Sequence, residues 1–439
     1  MPLWGNEKVL NMIIRFGCSN FLSFDEYQEI IFTASTLKDR EECIFSPKGF
    51  NDRVLSSMAI YGANASGKTN FLLAIQKLVR HIVDSSSKKK DSRIACNTYK
   101  LRDNNSDKES IFDIDFIVNE KHYHYGFSLY KGLVKSEWLY SYAYARRESR
   151  KILFHRDYEE YYFGRNLKGN NKSIEKMVGK NQLFISMAGI QGHEEIKHIY
   201  DFFENKFKFR FEMQLDQNSI AKHLEDKNKA KKIVDLMKPL SVGIERLEVK
   251  TRQPTEQEKH LADRLKELML SMTNAESVEN IGRFKEVKVF KKTENGKEVV
   301  FKLGHESRGT IALIELLAPA IEVIENGGVF VVDEIDCSLH PLLTNELIKI
   351  FNNKEQNMLG AQLLFSTHEV TILDTEDIRR DQIWIIEKEN DGHSIVRPLT
   401  DFKLRNNAKL REGYLDGRFG GIPSLMNEWN EISEKNAIK

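Results

Sequence analysis

Gly62-Ala63-Asn64-Ala65-Ser66-Gly67-Lys68-Thr69 follows the largely apolar run Val54–Tyr61 and precedes an amphipathic stretch. This loop constrains the fold more than any other feature, because it works only between a buried strand and the N-terminus of a helix. Glycine at both ends lets the backbone curl until several N–H groups converge on phosphate oxygens, and the helix adds its partial positive charge. Lys68 is placed to reach the β- and γ-phosphates of ATP, and Thr69 to offer its hydroxyl to the Mg2+ that accompanies them, with Asn70 in the same turn. Phe71, Leu72, Ile75, Leu78, Val79 and Ile82 fall on one helical face, so the context on both sides of the loop is the one its mechanism needs.

With 439 residues the chain can bury a large core and carry at least one further lobe. Its 66 Lys and Arg nearly balance its 65 Asp and Glu, so no overall basic field announces nucleic acid or an anionic membrane. Cys18, Cys43, Cys96 and Cys337 are scattered without paired spacing, as reduced thiols are, rather than a disulfide framework or a zinc site. No apolar run approaches a bilayer span and no secretory pattern opens the chain, so a cytoplasmic location without a membrane partner is expected. Residues 1–11 lack periodicity and are expected to be a disordered extension.

Residues 12–84 read as the first part of a nucleotide domain. Ser85-Ser86-Ser87-Lys88-Lys89-Lys90-Asp91 reads as a mobile solvated link, with a DNA contact as the sharper alternative. Across 85–172 the period becomes two: Ile111, Asp113, Asp115 and Ile117 face one way, and Phe112, Ile114, Phe116 and Val118 the other, which predicts a β-rich lobe. Trp138, Tyr140, Tyr142 and Tyr144 alternate there as one half-buried sheet face, although they could also stack on bases. Residues 173–285 read as a helical lobe, as in Ala221–Leu240 and Glu256–Met272, interrupted by a strand over Ile244–Lys250 and too short for a coiled-coil arm. Residues 286–439 return to the nucleotide domain through strands over Glu286–Leu303.

Val329-Phe330-Val331-Val332-Asp333-Glu334 is an apolar run ending in two carboxylates, the pattern of a buried parallel strand opening onto a ligand. Asp333 is expected to orient the Mg2+ shell, and Glu334 to polarise the attacking water as general base. The next strand, Ala361–Phe365, ends in Ser366-Thr367-His368, which places His368 where it can contact the γ-phosphate. Ser307, Arg308, Gly309 and Thr310 open an apolar helix that closes at Asn326-Gly327-Gly328 and form a second anion site. Two such sites suit two chains packed head to tail, each lending one to the other's nucleotide, which predicts an ATP-dependent dimer or larger assembly.

In their order these elements resemble the ABC-type ATPases that include the SMC proteins, the related DNA-break-repair ATPases and the OLD nucleases. More narrowly the chain resembles the AAA-15 ATPases. The resemblance rests on Asn20–Phe24, Tyr61–Thr69, Glu306–Thr310, the segment Asp333–Pro341, Ser366-Thr367-His368 and Tyr414–Pro423, and covers Met12 to Pro423. It implies an α/β fold of the ABC-type P-loop ATPase class, with an antiparallel β lobe and a helical insertion lobe. The chain departs from the pattern in three places: Leu22 stands where relatives often carry a basic residue, Tyr99-Lys100-Leu101 replaces a clear glutamine loop, and the signature reads Ser-Arg-Gly, adding the Arg308 guanidinium near the phosphates.

OLD nucleases carry a metal-binding TOPRIM domain after the ATPase, whereas only about 40 residues follow Thr400, below the usual domain size. The chain is therefore expected to have no nuclease of its own. Stand-alone ATPases of this kind serve phage-defence systems such as PARIS and Septu, which implies an ATP-driven sensor or scaffold that controls a separate effector, a nuclease, in response to a phage-encoded trigger. The alternative is an ATPase acting directly on DNA.

Overall fold

The computed structural model describes residues 9–422 except 91, 104, 145–147, 212–216, 239–241, 254, 257–258, 261–262, 265–283, 403 and 405–407. Most of the expected extension 1–11, most of the expected helix Glu256–Met272, and Pro423 lie outside the described residues.

The strands in chain order are β1 (Met12–Ser19), β2 (Gln28–Ile31), β3 (Ile44–Phe45), β4 (Val54–Leu55), β5 (Ser57–Tyr61), β6 (Ser110–Val118), β7 (Lys121–Tyr130), β8 (Leu133–Tyr144), β9 (Glu148–Asp157), β10 (Glu160–Phe163), β11 (Phe207–Arg210), β12 (Arg246–Arg252), β13 (Phe284–Lys292), β14 (Glu298–Lys302), β15 (Val329–Val332), β16 (Gln362–Ser366), β17 (Ile383–Lys388) and β18 (Ser394–Pro398). Close Cα neighbours divide the chain into two units. The first holds Met1–Phe211, Val323–Asp336 and Pro341–Lys439; the second holds Glu212–Glu322 and Cys337–His340.

Unit one carries two large sheets besides the short antiparallel pair β3-β4. The first is antiparallel, in the order β10-β9-β8-β7-β6-β1-β2. The second runs β11-β15-β16-β5-β17-β18, parallel up to β17, with β18 antiparallel at its edge. The phosphate-loop helix Lys68–Asp84 packs on strands of both sheets, β6 and β16, and its apolar face joins them in one core. Phe71 meets Phe16 and Phe24 edge-on at 5.5 and 5.6 Å. In the second sheet β16 lies between β5 and β15, so the loop-bearing strand and the acidic strand are not neighbours.

The lobes expected from sequence partition the chain differently from these contacts. The strands of the 85–172 region are hydrogen-bonded through β6 to β1, so they stay with the nucleotide site. Helices Phe184–Ile190 and Lys197–Lys206 also stay in unit one. Their approach is fixed by a buried pair. The Arg156 guanidinium donates to the carbonyls of Gln182 (2.6 Å) and Gly179 (3.3 Å), while Glu137 accepts the amides of Phe184 (2.7 Å) and Ile185 (3.0 Å). Both side chains are fully buried, where losing either partner would strand a charge. Glu286–Leu303, expected to return to the nucleotide domain, instead belongs to unit two.

The polar run after the first helix is not a free link. Ser85–Ser87 forms a 3-10 turn whose Ser85 hydroxyl accepts the Leu183 amide at 3.1 Å, and Gln182 donates to the Ser86 and Lys88 carbonyls at 3.0 and 2.8 Å. The run's backbone is thus held by residues 96 and 94 positions away, while Ser87, Lys89 and Lys90 stay exposed.

Unit two contains the antiparallel sheet β12-β13-β14, on which helices Gln217–Leu224 and Lys227–Met237 pack, and most of the helix Arg308–Asn326. The expected single helix Ala221–Leu240 is broken: Asp226 caps the second helix by accepting the Asn228 and Lys229 amides at 2.8 and 3.4 Å, and 239–240 lie outside the described residues.

Candidate functional site

The loop is built for an anion. Gly67 caps the helix at φ 115° with no side-chain partner, so the first-turn N–H groups keep their donors. A Cβ on Gly67 would come within 2.5 Å of the Ser394 hydroxyl and 2.7 Å of the Ser23 hydroxyl, and one on Gly62 within 2.3 Å of the Ile386 carbonyl, so both positions require glycine. Ala65 takes φ 62° at the exposed tip beside Asn64. The Lys68 ammonium is buried and turned back onto the carbonyls of Gly62 (2.9 Å) and Ala63 (3.1 Å). Burial lowers its pKa, against the pull of Asp333, Glu334 and Asp336, so its charge lacks full compensation until phosphates arrive.

β15 and β16 deliver the acidic and polar partners. The Thr69 hydroxyl donates to Asp333 Oδ2 at 2.8 Å. Ser366 donates from Oγ to Asp333 Oδ1 at 2.5 Å and accepts the Glu334 amide at 2.7 Å. Glu334 sits at φ 49°, a left-handed geometry that costs a non-glycine residue about 1 kcal/mol and aims the chain out of the strand. Asp336 holds the neighbouring turn, accepting the Thr367 hydroxyl at 2.7 Å and the His368 amide at 3.3 Å. Partial burial and the Lys68 ammonium hold the His368 imidazole below its ordinary pKa. The oxygen donors of Thr69 and Asp333 fit a hard divalent cation such as Mg2+.

Unit one thus brings Lys68, Thr69, Asp333 and Glu334 into one network, with His368 on the adjoining turn. Ser307, Arg308, Gly309 and Thr310 belong to unit two. There the Ser307 hydroxyl accepts the Thr310 amide at 3.1 Å, capping the helix that starts at Arg308. A Cβ on Gly309 would come within 3.0 Å of the Ser338 carbonyl, and Ser307 and Arg308 are exposed.

Sequence reasoning gave no role to Ser366, Asp336, Ser394 or Tyr414. The Tyr414 hydroxyl donates to the Gly421 carbonyl at 2.8 Å, a Cβ on Gly421 would come within 3.3 Å of the Gly62 Cα, and the Tyr414 ring stands edge-on to Tyr61 at 5.5 Å. Its pKa is pushed up to about 12, mainly by burial. Thus the Tyr414–Gly421 turn buttresses the phosphate loop from behind. The quoted motif Tyr414–Pro423 was the signal, but nothing local in it points 352 residues back to Gly62.

This fold and loop define an α/β P-loop nucleotide-binding protein. Residues 57–374 match the family described as "AAA domain, putative AbiEii toxin, Type IV TA system", and the chain belongs to that family. It is therefore a P-loop ATPase of the AAA-domain class. Among solved structures it is similar to the SMC head domain from Thermotoga maritima, at 14% identity over 88% of this chain and 98% of that one, with a TM-score of 0.39. It is also similar to the Smc head domain with an extended coiled coil, bound to the C-terminal domain of ScpA, from Pyrococcus furiosus (14%, 89% and 98%, TM-score 0.40). A third similar structure is the Smc head domain with a coiled coil and joint from Pyrococcus yayanosii (11%, 93% and 100%, 0.39). These likenesses are loose. No curated protein matches the chain, and no described helix is long and apolar enough to cross a membrane.

Proposed function

We propose that this chain is an ATP-driven switch in prokaryotic anti-phage defence, whose two copies assemble head to tail and control a separate effector, a nuclease. The observation that carries the reading is the linked set Thr69–Asp333–Ser366–Glu334 at the phosphate loop; in this reading the second helix N-terminus, capped by Ser307 and exposed at Ser307 and Arg308, serves another copy's nucleotide. Lys68 leaves the loop carbonyls to neutralise the β- and γ-phosphates. Glu334 takes a proton from the attacking water as the bond from the γ-phosphorus to its bridging oxygen breaks, and His368 steadies the γ-phosphate. Thr69 and Asp333 would hold Mg2+, which when bound neutralises charge on the phosphate oxygens.

The family description names a toxin of a toxin–antitoxin system, which sets the test. Native-operon purification should bring down a smaller second protein, and cell toxicity on infection should require both proteins and an intact Lys68. The purified chain alone should hydrolyse ATP and leave DNA and RNA uncut. Toxicity from this chain alone would overturn the switch reading in favour of a toxin.

A further inference from the structure

Strand β14, Glu298-Val299-Val300-Phe301-Lys302, is the outer strand of the unit-two sheet and pairs with β13 along one edge. Among the described residues no other strand covers its second edge. All five residues are exposed, and the three apolar ones stand in a row: Val299 at 37%, Val300 at 50% and Phe301 at 37%. A flat apolar edge with open N–H and C=O groups is a template for another strand, and soluble proteins normally blunt it. Here the only charges lie at its two ends, and they are opposite in sign.

That arrangement is self-complementary. An antiparallel pairing of β14 with β14 of a second copy, centred on Val300, sets Glu298 against Lys302, Val299 against Phe301, and Val300 against itself. The symmetry writes each favourable pair twice, and a shift of two residues loses both ion pairs. Within one chain, Lys302 stands directly across from Lys288, a like-charge pair, and its nearest carboxylate is Glu286 at 3.6 Å. Glu298 in turn pairs with Arg246 at 3.1 Å within the chain, so a second copy would add an inter-chain partner to each end rather than supply the first one.

We infer that β14 is a two-fold docking edge through which two copies of this chain associate without nucleotide, forming a continuous six-stranded sheet from two three-stranded ones. This surface is separate from the ATP-dependent association proposed above. Two different interfaces on one chain would link nucleotide-bound dimers into larger assemblies.

The test uses the full chain in nucleotide-free buffer, with association followed by sedimentation velocity over a wide concentration series. Wild type should show a reversible monomer–dimer equilibrium. Val300→Lys, which sets two ammonium groups together on the symmetry axis, should weaken it by about tenfold or more. Glu298→Lys and Lys302→Glu should each weaken it by about tenfold, and the double variant Glu298→Lys/Lys302→Glu should recover most of the loss. Mixing the two single variants, one of them fluorescently labelled, should give heterodimers in preference to either homodimer. A far-ultraviolet circular-dichroism spectrum and a melting temperature equal to those of wild type report that each variant is folded. A wild type monomeric throughout, or single reversals without effect, or a double variant as weak as the singles, would each overturn the inference. So would a heterologous strand from another protein outcompeting the second copy on the same edge.

Discussion

Two helix N-termini of the chain, one at the phosphate loop and one at the proposed shared site, are capped in opposite ways. At Lys68 the cap is a glycine in a left-handed conformation with no side-chain partner, so the first-turn donors wait for an external acceptor. At Arg308 the cap is Ser307, whose hydroxyl already accepts the Thr310 amide at 3.1 Å. The first end is held rigid by Ser394, Ser23, Tyr414 and the β15–β16 network; the second answers its own donor with its own side chain. The contrast separates a helix end left open for a ligand from one that, if it serves a ligand as proposed, must exchange an internal hydrogen bond for an external one.

The largest effect on this comparison should come from Glu334→Gln. The isostere keeps the backbone bond to Ser366 but removes the base, so kcat should fall by about 10²–10⁴ while ATP affinity holds. Single-turnover and equilibrium-binding measurements separate the two, and an unchanged turnover would remove Glu334 from its role. Lys68→Ala attacks the preorganised end itself. Charge-assisted bonds to two phosphates are lost, so ATP affinity measured by calorimetry should fall by about 100-fold or more. An unchanged affinity would mean the loop does not hold the triphosphate.

Those two predictions rest on residues legible in the sequence, because each belongs to a local pattern: a strand, a glycine-rich turn, a helix face, an apolar run ending in carboxylates. What stayed illegible was contact over distance. Ser366 joins Asp333 and Glu334 from 33 and 32 residues away. The serine–lysine run after the first helix reads as solvated, yet it is pinned by Gln182 and Leu183 across a loop of nearly 100 residues. Composition reports polar side chains; it does not report which backbone groups beside them are held by distant residues. Likewise the alternation of β6 predicts a strand but not that its neighbour is β1.

Tyr414→Phe tests one such distant contact. The ring stays on Tyr61, but the carbonyl of Gly421, a residue packed against Gly62, loses a buried partner. KM for ATP should rise by up to about tenfold with kcat changed much less. Equal values of both constants to wild type would show that the buttress does not position the loop.

The smallest effect concerns the far end of the same helix. His81 is fully buried, and burial, with Lys88 and Lys77 adding to it, holds its pKa well below 6.5, so the native state keeps it neutral. The unfolded chain takes up that proton as pH falls below about 6.5, so native stability should decline with acidification, by at most about 1.4 kcal/mol per pH unit from this group. His81→Leu should flatten the denaturation-derived stability profile between about pH 6.5 and 5 by that slope. His193, His198 and His368 are lowered as well and will keep part of it. A profile as steep as wild type would show that His81 is not the neutral group described.

The central claim is that the two helix ends serve one nucleotide from two chains, and mixing measures it most directly. Lys68→Ala disables the preorganised end, and Ser307→Arg disables the self-capped one, so each variant alone should be inactive. In a head-to-tail dimer of one chain of each, one composite site carries both defects and the other carries neither. Hydrolysis should therefore return on mixing, rising to a maximum near equal proportions. If the two variants are shown to co-assemble and no ratio restores turnover, the shared-site account is wrong.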